Sequence, residues 1–77
     1  MPHYIPCNNG KIPGPLGDYV PVKRPTSKTY HLRHGETYEC LCGEQGTVDA
    51  EIPVTAERIP LCAYCYARAW RLYGRSK

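Results

Sequence analysis

Four cysteines fall in two close pairs, Cys40-Leu41-Cys42 and Cys62-Ala63-Tyr64-Cys65. The second pair has C-x-x-C spacing, in which the backbone folds back and both sulfurs reach one tetrahedral ion. Thiolate and imidazole donors at such spacing point to structural Zn²⁺. His31 is a fifth candidate donor. Cys62 and Cys65 are the firmest ligands from spacing alone. If they begin a helix, its free N–H groups and dipole stabilise thiolates there. Cys42 precedes Gly43, which permits a tight turn around a bound sulfur. The fourth place is contested: Cys40 completes a Cys₄ site, and His31 in its stead completes a Cys₃His site. The expected set is Cys40, Cys42, Cys62 and Cys65 around one zinc ion, with His31 as the alternative to Cys40.

A catalytic zinc needs an open coordination position and a nearby general acid or base. The zinc deaminase pattern pairs H-x-E with P-C-x-x-C. His34-Gly35-Glu36 matches its first half, but Leu61 separates Pro60 from Cys62. A chain of 77 residues is also too short for the sheet of such a pocket. The sequence therefore points away from an enzyme, and no small-molecule substrate is expected.

The elements that position these donors must be small. A domain of this size buries a limited core and commonly relies on metal or disulfides. Phenylalanine is absent and tyrosine occurs seven times, so the aromatic groups suit half-buried positions. Five cysteines make an odd count, unlike an even-numbered secreted disulfide framework. The N-terminus MPHYIPCNNG lacks the basic-then-apolar order of a signal peptide, and no apolar run reaches bilayer length. A reducing cytoplasm, bacterial or host, is the expected compartment, without membrane attachment.

Residues 1–28 hold six of the eight prolines. Proline removes backbone donors, so this stretch is expected to be an extended or loose arm, without a helix or central strand. The zinc-binding domain is then 29–77. Residues 29–43 read as a β-hairpin turning at His34-Gly35-Glu36. With His31 opposite Cys42 and Arg33 opposite Cys40, the alternation of strand side chains places His31, Cys40 and Cys42 on one side. Residues 44–61 connect, with a short strand near Val48 or Glu51. Residues 61–75 read as a helix stopping at Gly74. The fold class is thus a small metal-stabilised α+β unit, a treble-clef-like or zinc-ribbon-like hairpin plus C-terminal helix behind a proline-rich arm.

Charge is unevenly placed. Residues 36–57 carry six acids and no base, whereas 58–77 carry five bases and no acid. On a helix Tyr64, Arg68, Arg71 and Arg75 form one stripe. Lys23 and Arg24 add basic contacts from the arm. The stripe suits a protein partner, and alternatively the phosphates of a nucleic acid. The plain alternative is a solvated helix face.

The stretch His31-Leu32…Gly35…Cys42-Gly43…Cys62-x-x-Cys65 resembles small zinc-binding proteins of actinobacteria and their phages. The likeness covers residues 29–70. It implies a zinc ligand set of His31, Cys42, Cys62 and Cys65, from which Cys40 is a departure. It also implies a small regulator, phage-encoded in some cases, that binds a host macromolecule. A structural or assembly component of a larger complex is a further expectation. Leu61-Cys62-Ala63-Tyr64-Cys65 is similar to the second half of GATA-type treble-clef fingers.

Overall fold

The computed structural model describes residues 2–7, 9–12 and 19–76, with the side chains of 2–3 and 73–76 set aside. Among the described residues five strands precede one helix: β1 (Pro2–Pro6), β2 (Tyr19–Lys23), β3 (His31–His34), β4 (Val48–Asp49), β5 (Arg58–Cys62) and α1 (Ala63–Ser76). They form two small antiparallel sheets, one of β1 and β5 and one ordered β3-β2-β4. Among the described residues, no helix is long and apolar enough to cross a membrane.

The proline-rich segment differs from its expectation. β2 lies at the centre of the three-stranded sheet although it contains Pro21. Position explains the tolerance. Pro21 carbonyl accepts from the Ala50 N–H at 3.0 Å, just past the end of the two-residue β4. In an antiparallel strand a residue's N–H and C=O point the same way, so the missing donor falls where the ladder is already ending. β1 pairs along β5 from Pro2↔Cys62 to Pro6↔Arg58. Gly10, at φ 77°, lets the chain pass beside β5's approach; a Cβ there would stand 2.9 Å from the Ile52 carbonyl oxygen. The expected arm residues Pro13, Gly14, Pro15, Leu16 and Gly17 lie outside the described residues.

The expected hairpin is present in reduced form. Arg33 stands opposite Cys40, the predicted register, but as a single bridge with no second strand. The main partner of β3 is β2, from Tyr19↔His34 to Val22↔His31. Residues 58–62 form β5, which the sequence reading assigned to a connection and to the helix start. Pro60 is accommodated there because its carbonyl takes the Tyr30 N–H at 2.8 Å. The helix begins two residues later than expected and runs on through Gly74.

Ile5, Ile12, Leu32, Ile52, Ile59 and Leu61 join Cys65 and Ala69 in one core cluster. Strand alternation turns Ile59 and Leu61 inward together, and the i, i+4 spacing does the same for Cys65 and Ala69. Two metal ligand candidates' elements, β3 and α1, thus meet over this core.

Arg33 bridges the three-stranded sheet. It donates to both carboxylate oxygens of Asp49 at 3.0 Å and to the Thr37 carbonyl at 3.1 Å. The Asp49 carboxylate is held below its ordinary 3.8 mainly by its hydrogen bond to Arg33. A carboxylate with a depressed folded pKa stabilises above the ordinary value and loses that contribution as pH falls through the folded one. Asp49→Asn is expected to flatten the acid limb of a thermal-midpoint profile below about pH 4. Arg33→Lys is expected to lower the midpoint at neutral pH, since an ammonium cannot reproduce the two-pronged bond.

Candidate metal centre

Three local structures deliver the donors. β3 begins with His31, buried to all but 9 %. A turn follows the Arg33–Cys40 bridge, closed by the Gly43 N–H donating to the Cys40 carbonyl at 3.0 Å. Gly43 sits at φ 78°, a left-handed conformation that glycine adopts without the Cβ clash. The turn folds Cys40 and Cys42 together, with Sγ atoms 3.5 Å apart. The first turn of α1 contributes Cys65, fully buried.

The result is a compact group. One donor atom from each of His31, Cys40, Cys42 and Cys65 lies within 4.8 Å of all the others. Cys42 Sγ is 3.2 Å from His31 Nδ1, and Cys65 Sγ is 3.8 Å from the same nitrogen. A tetrahedral zinc with ordinary bond lengths would set sulfur–sulfur edges at about 3.8 Å and sulfur–nitrogen edges at about 3.5 Å. The donor set and its spacing therefore fit such an ion. Nδ1 faces the thiols, so Nε2 lies on the opposite edge of the ring.

Cys62 does not belong to this group. The sequence reading ranked it with Cys65 as the firmest ligand and made His31 and Cys40 alternatives. The structure instead brings both of these beside Cys42 and Cys65. Cys62 is the last residue of β5, half-buried, with its N–H donating to the Tyr30 carbonyl at 2.8 Å. Cys62 packs against the core cluster and lines the same cleft as His31, but it stays outside the group of four mutually close donors. The signal for the observed set was in the sequence: the hairpin register already put His31, Cys40 and Cys42 on one face. Cys7 also stands apart, half-buried against the core with its N–H on the Glu57 carbonyl at 2.7 Å.

The surroundings favour the uncharged forms when no ion is bound. Burial pushes the Cys42 and Cys65 thiols above their ordinary 9.0. Burial also holds His31 below 6.5, a trend that Glu44 opposes and Arg24 reinforces. The Cys40 thiol donates to the Glu44 carbonyl at 3.3 Å. Metal capture must strip these sulfurs of protons, so a raised thiol pKa makes capture improve as pH rises and fail as pH falls. With the Cys42 and Cys65 thiols both raised, the apparent affinity is expected to drop by about two orders of magnitude or more per pH unit in the neutral range. His31, neutral down to below 6.5, adds nothing to that slope at neutral pH. Competition with a chromogenic chelator between about pH 6 and about pH 8 measures it; a slope of one proton or fewer would contradict a three-thiolate site.

The predicted contact residues occupy two regions. On α1, Arg68 and Arg71 are exposed and Tyr64 is 57 % exposed. Arg68 lies over the Tyr64 ring at 5.7 Å and donates to its hydroxyl at 3.5 Å. The side chain of Arg75 lies outside the described residues. Lys23 Nζ donates to the Ser27 carbonyl at 3.2 Å, and Arg24 pairs with Glu44 at 2.7 Å. Arg24 thus serves the fold, a role its sequence position does not reveal.

No family model, curated protein or solved structure matches the chain.

Proposed function

We propose that this chain is a non-enzymatic, zinc-finger-like binding module in which one Zn²⁺ ties β3 and the Cys40–Gly43 turn to α1, and α1 contacts a nucleic acid. The observation that carries the metal half is the four-donor group within 4.8 Å. When bound, zinc supplies a crosslink between elements distant in sequence. Four protein donors leave no open position for substrate, which is why the reading is structural and not catalytic.

Charge supports the second half. The acids of the middle segment would repel a polyanion; two of the six are paired, Glu44 with Arg24 and Asp49 with Arg33, while Glu36, Glu39, Glu51 and Glu57 are exposed and lie off the helix. Helix α1 carries no acid. Among the described residues, neither Arg68 nor Arg71 meets a carboxylate. The test is binding of a labelled oligonucleotide by the metal-loaded chain across a salt series, with metal content measured in parallel. Phosphate contacts make affinity fall steeply with salt, and Arg68→Ala with Arg71→Ala is expected to reduce that slope. A protein partner is the second reading. It is favoured by exposed apolar groups, Trp70 at 45 %, Val54 at 76 % and Tyr38 at 97 %. Partner capture that is insensitive to salt would support it. A regulatory role toward a host macromolecule fits either reading.

A further inference from the structure

We propose that Cys62 is an oxidation site beside the metal centre, where a hydroperoxide ties Cys62 to Cys65 in a disulfide and unfastens α1 from the ion. The inference rests on the metal half of the reading above and is independent of which macromolecule α1 contacts.

The fold splits the C-x-x-C pair. Cys65 is a donor with no exposed surface, whereas Cys62 stays outside the four-donor group. Cys62 is half-buried and lines a cleft of about 900 Å³. His31, a donor of the group, lines the same cleft. A small oxidant entering there meets an uncoordinated sulfur next to the centre. Cys62 and Cys65 are three positions apart, across the junction of β5 and α1. At that spacing on a helix Cβ atoms stand about 5–6 Å apart, and a disulfide holds them at about 4 Å, so a small closing movement suffices. Burial raises the Cys65 thiol, and the charge of the nearby Cys62 adds to the rise. Cys7 is the other thiol outside the group, but its segment is bonded to Glu57, away from the donors.

The chemistry balances with one molecule of hydrogen peroxide. The Cys62 thiol takes one peroxide oxygen as the O–O bond breaks, giving a sulfenic acid and water. The Cys65 sulfur then attacks the Cys62 sulfur. The S–O bond breaks as the S–S bond forms, and the leaving hydroxide is protonated to a second water. The two sulfurs together give up the two electrons that the peroxide bond accepts. Cys65 is thereby lost as a donor. The remaining donors, His31, Cys40 and Cys42, belong to β3 and the turn after it. Cys65 is the donor from α1, so its loss cuts the link to the helix that carries Arg68 and Arg71. Oxidation thus dismantles the binding surface, and a thiol reductant restores it.

The test exposes the zinc-loaded full chain to excess hydrogen peroxide, with a chromogenic zinc indicator recording release. Alkylation and peptide mass mapping then identify the bonded cysteines. The expected result is release of the ion together with a Cys62–Cys65 disulfide, both reversed by dithiothreitol and added zinc. Cys62→Ser should keep its ion and release it about tenfold more slowly, because the reachable sulfur is gone. Cys7→Ser should behave as the unaltered chain. A disulfide between other cysteines, a Cys62 sulfinic acid with the ion retained, or equal release rates with and without Cys62 would overturn the oxidation site and leave the metal reading standing. Loss of zinc from Cys62→Ser before any peroxide is added would make Cys62 a ligand and overturn the inference. Failure of the unaltered chain to hold zinc overturns both.

Discussion

Stripping the proposed metal from this protein, or replacing Cys65 with serine, is expected to abolish its cooperative thermal transition. Cys65 is fully buried at the start of α1, 3.8 Å from His31 on β3. The ion that we propose there joins the helix to a strand more than thirty positions away in the chain. Structural zinc contributes about 10–16 kcal/mol to folding in small domains at neutral pH. The net stability of an ordinary domain this size is about 4–12 kcal/mol. Removing the ion therefore costs as much as the whole reserve or more. Far-UV circular dichroism with and without a chelator reads the loss of α1 directly. Survival of a sharp transition in the metal-free chain would refute a structural metal.

The same experiment decides the ligand set. Cys40→Ser and His31→Ala should each lose the ion, because both donors lie in the four-membered group. Cys62→Ser should keep it at one equivalent, because Cys62 lies outside that group. Loss of metal in Cys62→Ser with retention in Cys40→Ser would replace one thiol by the other. That outcome would restore the set implied by the resemblance to actinobacterial and phage zinc proteins.

Leu61→Ala is the second large effect. Leu61 has no exposed surface, lies in β5 between the β1 pairing and the Tyr30 bridge, and belongs to the core cluster. Truncation there removes three carbons and leaves a cavity that the hydrogen-bonded strands on both sides resist filling. Such substitutions cost about 2–5 kcal/mol. For a domain of this length, each kcal/mol lowers the thermal midpoint by about 4–8 °C. A fall of about 10–30 °C is expected in the zinc-loaded protein, with metal content unchanged at low temperature. Val54→Ala, at a site 76 % exposed, should shift the midpoint by no more than a few degrees. Equal shifts in the two variants would mean that Leu61 does not sit in a packed core.

Part of this arrangement was legible from local pattern. The donor types, the Arg33–Cys40 register, the turn at Gly43 and a C-terminal helix carrying Cys65 follow from spacing, alternation and propensity, which act over a few residues. Other features depend on contacts between distant segments. β2 is a central strand despite Pro21 because β4 ends where the missing N–H would point. β5 exists because β1, some fifty residues earlier, supplies its ladder. Arg24 is withdrawn from the basic surface by Glu44, twenty positions on.

By itself, the amino-acid order determined that thiols and an imidazole would gather around a small α+β core, and which of them shared a strand face. Only the tertiary structure decided which four of the five donors converge. That choice depends on where β5 ends and α1 begins. β5 ends at Cys62, whose N–H is held by the Tyr30 carbonyl, and the first turn of α1 then carries Cys65 to within 3.8 Å of His31, so Cys65 enters the four-donor group and Cys62 stays beside it.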